Sequence, residues 1–212
     1  MSTPFDARNE KFAPLLVAML KERGFDAHYA KDRVAALNTA ISLIPAEHVV
    51  SWGGATSADE IGLIDAVKKR NKVIDRDTAK DIKERWTLMK NALHCDTFIM
   101  GTNAMSESGE LVNIDGNGNR IAALAFGPSS VIVIVGINKV AKTLDDAISR
   151  ARNTAAPINA QRFPERKTPC VTKGACFDCK SDECICNQIS IVRMCSPAKR
   201  IKVIIVGESL GF

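Results

Sequence analysis

Aromatic residues are scarce in this chain: they make up 5% of 212 residues, with one tyrosine and two tryptophans. Charge of one sign is scarce too. The net charge is +5, and the bases of "KKRNKVIDRDTAKDIKER" alternate with acids. A surface for nucleic acid would show a one-sided basic run with interleaved aromatics. That stretch reads instead as a solvated face, and no nucleic-acid partner is expected. No apolar run approaches the roughly 18 residues of a membrane span. "MSTPFDARNEKF" lacks the basic start and apolar stretch of a secretory signal, so a cytoplasmic protein is expected. Internal repeats, low-complexity tracts, a Walker loop and the full dinucleotide glycine pattern are also missing. His28, His48 and His94 stand apart from any serine or cysteine nucleophile pattern. Hydrophobic residues at 46% and charged residues at 25% fit an ordinary globular chain, long enough for one substantial core.

Helical and strand patterns alternate along the first half. Phe12, Leu15, Leu16, Met19 and Leu20 recur at helical spacing, with Pro14 marking a start or a kink and Gly24 a C-cap. "FDAHYA" reads as a strand, and Val34, Leu37, Ile41 and Ile44 mark a second helix. "HVVSWGG" reads as a strand running into glycines. "TSADEIGLIDAVKKR" reads as one helix, with Ser57 as N-cap and Glu60 completing a capping box. A strand "KVIDR", a helix "TAKDIKERWTLMKNALH" and a strand "CDTFIMG" follow. This rhythm predicts a parallel sheet covered by helices. After Gly101, "GELVNID", "IAALAFG" and "SVIVIVG" read as strands separated by turns, which predicts a hairpin element. "TLDDAISRARNTAA" restores a helix capped by Thr143, and residues 157–169 read as a connector. "ISIVRM" and "KVIIVGESLGF" supply the last strands.

Four places carry candidate chemistry. Gly53 and Gly54 end an apolar strand, and Thr56 and Ser57 lead into a helix, a unit that offers backbone N–H groups to an anion. Asp115, Gly116, Asn117, Gly118 and Asn119 are turn formers, and Arg120 at the edge of that loop can fork onto a carboxylate or phosphate. The loop resembles a calcium site only in composition, since the downstream bidentate Glu is missing. Glu208 follows the last strand, where open α/β sheets bind ligands at their carboxyl edge. Finally, six of the seven cysteines crowd between Cys170 and Cys195. In a cytoplasmic chain such crowding points to metal or redox chemistry. Cys176 and Cys179 form a C-x2-C turn. Cys170 and either Cys184 or Cys186 would complete four thiolates for zinc or an iron–sulfur cluster. Cys95 reads as a buried thiol.

Several of these stretches together resemble one family. "GTNAMSESGELVNIDGNGNRIAALAFGPSSVIVIVGINKV", "SRARNTAAPINAQR" and the terminal "VGESLGF" are similar to the LUD-domain family of lactate-utilisation proteins. "SWGGATSADEIGL" and the cysteine segment resemble its cysteine-bearing branch. The resemblance implies a single α/β domain over residues 1–212, a mainly parallel sheet flanked by helices like that of ribose-phosphate isomerases and CoA transferases. The cysteine-rich excursion would span about 168–196. The branch's pattern ends in "ICN", which favours Cys186 over Cys184 as the fourth metal ligand beside Cys170, Cys176 and Cys179. It also implies a link to oxidation of lactate or related organic acids, alongside iron–sulfur partner proteins. The expected role is a redox-associated accessory protein with a small-anion cleft formed by Gly53, Gly54, Thr56, Ser57, Asp115, Asn119 and Arg120, for a phosphate, carboxylate or CoA-like ligand. The alternatives are a free-standing CoA-transferase- or isomerase-like enzyme using Glu208, and an interaction module with a zinc-clamped loop.

Overall fold

The computed structural model of the chain describes residues 3–212. Thr3 and Asp6 form a capping box that opens α1 (Pro4–Glu22). Pro14 neither starts nor ends this helix. It lies on the exposed face, where water can take the carbonyl that a proline cannot pair. The buried stripe is Asn9, Ala13, Leu16 and Leu20, rotated from the sequence expectation, and Leu15 is exposed.

The chain then runs through β1 (Asp26–Ala30), α2 (Arg33–Ser42), β2 (Val50–Trp52), α3 (Thr56–Glu60), α4 (Leu63–Arg70), β3 (Val73–Ile74), α5 (Ile82–Asn91) and β4 (Thr97–Gly101). The single helix expected from Thr56 onward is two helices. Gly62, at φ 76°, sits in the left-handed region between them, and Ser57 caps nothing. Next come β5 (Ala104–Ser106), β6 (Leu111–Asp115), α6 (Asn119–Ala125), β7 (Ser130–Gly136), β8 (Val140–Ala141) and α7 (Leu144–Arg150). Thr143 caps α7 in a box with Asp146, as expected. A π-turn carries α7 into α8 (Ala156–Ala160), so part of the expected connector is helical. The last elements are α9 (Pro169–Lys173), β9 (Gln188–Val192) and β10 (Ile201–Val206).

Among the described residues, six strands form a parallel sheet in the order β1-β10-β7-β4-β2-β3. Strand β7 is buried throughout, which is why "SVIVIVG" reads as a continuous apolar run. Alternation along it splits the core. Val131, Val133 and Val135 face Leu16, Leu20 and Phe98, whereas Ile132 and Ile134 face Ala36, Ala40, Leu63 and Val67. Each such side chain removed from water contributes about 1.5–3 kcal/mol.

A second sheet has the order β8-β5-β6-β9, with β6 antiparallel to both β5 and β9. The antiparallel element after Gly101 pairs β6 with β5, a strand not among those expected, while "GELVNID" and "SVIVIVG" lie in different sheets. The strand expected over "IAALAFG" is instead α6, because an alanine-rich run is a strong helix former and the Asp115 carboxylate accepts from Arg120 N at 2.9 Å and from Ile121 N at 3.4 Å. Pairing of Asp115 with Gln188 lays the end of the cysteine segment against the Asp115–Arg120 loop.

Candidate functional site

A cleft of about 500 Å³ opens beyond the carboxyl ends of β2 and β4. Its walls come from the β2–α3 turn (Gly53, Gly54, Thr56, Ser57), from Gly101 and Thr102 after β4, and from Asp115, Gly116, Asn117, Asn119 and Arg120 beside β6 and α6. Lys139 after β7, Arg162 and Arg166 after α8, Cys184, Ile185 and Phe212 also line it. Every glycine, hydroxyl, amide and guanidinium expected from the sequence to bind an anion therefore lines one space.

Arg120 is the pivot of the near wall. It lies across Gly53: a Cβ there would come within 2.3 Å of Arg120 Cγ and 2.5 Å of Cδ. Its guanidinium donates to Ile114 O at 2.5 Å and stands 3.5 Å from Asp115 Oδ1. The same Asp115 holds the first turn of α6, so one carboxylate fixes both the backbone and the side chain of Arg120. Arg76 lines the same cleft, and among the described residues its enclosed Nε has no hydrogen-bond acceptor. Asp77 Oδ1 at 3.9 Å is an ionic contact, too long to be a hydrogen bond. Burial pulls the Arg76 pKa below the usual guanidinium range, with Asp77 opposing. Around them the cleft holds seven basic side chains (Lys68, Arg76, Arg85, Arg120, Lys139, Arg162, Arg166) and three acidic ones (Asp59, Asp77, Asp115), an excess of four positive charges. Lys68 pairs with Asp75 at 2.8 Å, and three remain in excess after that neutralisation. Most of the chain's net +5 is thus gathered in one concavity.

Lys139 is the deepest of these cations. It is 5% exposed, and its Nζ donates to Ser57 Oγ at 2.9 Å. Burial, then Arg150 and Arg120, bring its pKa down to about 8. The sequence did not mark it: a lysine just past a strand looks like a surface lysine until the tail of the chain is laid over it. Arg76, Arg85 and Lys68 were hidden differently, inside a mixed-charge run read as a solvated face. The alternation of acids and bases that suggested solvation does not say which members turn inward.

Glu208 does not join the cleft. Its carboxylate pairs with Arg33 Nε at 2.7 Å, with both side chains substantially exposed. The turn at Gly207 packs against Lys31 O, where a Cβ would stand 2.6 Å away, and this aims Glu208 at α2 beside the β1 edge. The residues after it reach the cleft instead. Gly211 N donates to Glu60 Oε2 at 3.0 Å, and Phe212 lines the wall. The histidines also lie outside: His48 Nδ1 meets Thr97 Oγ1 at 2.9 Å, His28 meets Asp26, and His94 is exposed.

The cysteine segment forms one rim. Cys184 lines the cleft, and its sulfur is 3.1 Å from that of Cys186. Burial first, then Cys184, pushes the Cys186 thiol up to about 12. Burial and the neighbouring Cys176 and Cys179 also raise Cys170. The thiols are neighbours, yet among the described residues no three His, Cys, Asp or Glu side chains are grouped to hold a metal ion. The expected four-thiolate set of Cys170, Cys176, Cys179 and Cys186 is accordingly not assembled as a metal-holding group among the described residues. Cys195 lies elsewhere, buried in the main core, where its N–H donates to Arg23 O. Cys95 is a buried thiol, pushed up to about 12 by burial.

A parallel sheet with helices on both faces and a polar, cationic cleft at the strand ends places the chain in the α/β class that binds ligands at the carboxyl edge. Within that class, the LUD domain family model matches residues 13–206, and the chain belongs to the LUD domain family. The crystal structure of a DUF162 family protein from Deinococcus radiodurans is similar with a TM-score of 0.53 at 14% identity, covering 93% of this chain and 98% of that one. This shows a shared fold. A ribose 5-phosphate isomerase from Plasmodium falciparum matches over 52% of each chain at 16% identity with a TM-score of 0.34, too slight a likeness to carry an argument. No curated protein matches the sequence. Among the described residues no helix is long and apolar enough to cross a membrane.

Proposed function

We propose that the cleft binds a small anionic metabolite, a carboxylate or phosphate, and that the protein serves organic-acid metabolism of the kind the family resemblance implies. The observation that carries this reading is the gathering of Arg76 and Arg120 in the lining of one cleft with excess positive charge. Gly53 and Asp115 hold Arg120 in place before the ligand arrives, so binding loses little side-chain freedom. No step is assigned to a metal. Zinc, or an iron–sulfur cluster docking an iron–sulfur partner, is tested separately by metal analysis of anaerobically purified protein, with Cys179→Ser as comparison.

The experiment is a titration followed by tryptophan fluorescence, since Trp52 and Trp86 both line the cleft. Phosphate, lactate and oxalate are the probes, against wild type, Arg76→Ala and Arg120→Ala. Loss of either guanidinium should weaken binding by about 1.5–3 kcal/mol, the worth of a hydrogen bond to a charged group. Raising the salt should weaken it further. Variants that bind all three probes like wild type would end the proposal.

A further inference from the structure

Lys139 is not explained by anion binding alone. Its ammonium is buried with no carboxylate in ion-pair range among the described residues, and its neighbours are the guanidiniums of Arg150 and Arg120, with Glu60 the acid that offsets them. A lysine buried beside other cations is held partly as the free amine, the nucleophilic form. Its surroundings suit approach by a ligand. Gly101, at the end of β4, leaves methyl-sized room: a Cβ there would sit 3.9 Å from Nζ and 3.6 Å from Ser57 Oγ, ordinary contacts. On the other side Gly211 closes over the pair, and a Cβ at that position would come within 3.1 Å of Nζ and 2.8 Å of Ser57 Oγ. Ser57 Oγ itself donates towards Leu210 O at 3.4 Å, so its oxygen is free to face Nζ.

We infer that Lys139 forms an imine with an anionic carbonyl compound, a 2-oxo acid or an aldehyde acid, bound in this cleft. The amine lone pair attacks the carbonyl carbon, and the new C–N bond forms as the C=O π electrons move to oxygen. That oxygen takes up protons and leaves as water while nitrogen loses its second hydrogen, so amine plus carbonyl gives imine plus water. No oxidant or reductant enters. Ser57 is a positioning residue that holds Nζ toward the Gly101 space, and the cleft arginines take the ligand's carboxylate. The inference rests on the anion-binding reading and goes beyond it by naming the ligand's chemical class and the bond it makes.

The test treats the whole protein with glyoxylate and borohydride and maps the reduced adduct by peptide mass spectrometry. Oxalate, an anion without an aldehyde or ketone, reports binding alone. An adduct at Lys139 that oxalate suppresses, and that forms faster as pH rises through about 8, supports the inference. Each unit by which a lysine pKa falls gives about tenfold more free amine at neutral pH, so Lys139 should outreact exposed lysines by on the order of tenfold or more. Lys139→Arg, which keeps the charge but has no nucleophilic amine, should lose this adduct. Mapping of the wild-type chain decides the matter even if that variant does not fold. Oxalate binding with no adduct at Lys139, or adducts only on exposed lysines, overturns the imine and leaves the anion reading intact. Failure of oxalate, glyoxylate and phosphate alike to bind overturns the anion reading itself.

Discussion

Gly53→Ala is the perturbation that interrogates the cleft wall most directly. The new methyl would sit 2.3 Å from Arg120 Cγ and 2.5 Å from Cδ, about an ångström inside contact distance. Those atoms lie near the root of the side chain, so rotation of the guanidinium cannot relieve the clash. Arg120 must leave its place and give up the donation to Ile114 O and the contact with Asp115. Overpacking of this kind costs about 1–3 kcal/mol. In an Arg120→Ala background the obstructing atoms are gone, and the next neighbour, Phe98 Cζ, is at an ordinary 3.5 Å. Gly53 carries no positive φ, so there the alanine should be neutral or stabilising by about 0.4–1 kcal/mol, through a less flexible unfolded chain. Urea denaturation of the four proteins of the cycle measures this. The sign of the Gly53→Ala effect should reverse between the two backgrounds. Equal destabilisation in both would show that the clash with Arg120 is not what excludes a side chain at this position.

Asp115→Ala should destabilise by about 0.5–2 kcal/mol through loss of the α6 cap, and Asp115→Asn, which keeps an acceptor, by less; thermal melts compare them. Glu208→Gln should leave phosphate and oxalate titrations unchanged and cost under about 1 kcal/mol, because its ion pair with Arg33 is solvent-exposed. Altered anion affinity in this variant would return Glu208 to the cleft. Cys95, raised by burial from an ordinary thiol's 9.0 to about 12, keeps its proton in the folded state after the unfolded chain has lost it. Its contribution is therefore fully present below about pH 9 and lost as pH rises towards 12. Cys186 acts in the same sense. Lys139 acts oppositely, stability rising with pH between about 8 and 10.5. Cys95→Ala should flatten the alkaline fall seen in denaturation curves from pH 8 to 11; an unchanged slope would refute the assignment.

Local rules settled much of this fold from the sequence. "SVIVIVG" is apolar at every position because it is buried on both faces, and the Thr143–Asp146 box marks its helix start without tertiary help. An antiparallel element after Gly101 was legible in the glycine-bearing turns, but its strand β5 was not. "IAALAFG" failed because a short apolar run fits strand and helix equally, and the deciding contact, the Asp115 carboxylate on Arg120 N and Ile121 N, spans a loop that looks like a plain turn. The stripe of α1 was misplaced because Ala13, small and unremarked, is what the sheet accepts there, while Leu15 is left in water.

At the site, the sequence by itself determined that Gly53, Gly54, Thr56, Ser57 and the Asp115–Arg120 loop stand at strand ends, since strand ends are locally encoded. That they face each other across one cleft was decided by the crossovers of the sheet. The charge of that cleft was decided there too. Arg76, Lys139 and the Arg162–Arg166 segment lie far apart in the chain, and each looks like ordinary surface charge until folding sets it on one cleft. Lys139 and Glu208 show the limit from both sides. A lysine becomes unusual only when Gly211 covers it, and a carboxylate becomes ordinary only when Arg33 takes it, because both outcomes depend on a tail whose path is fixed by distant partners.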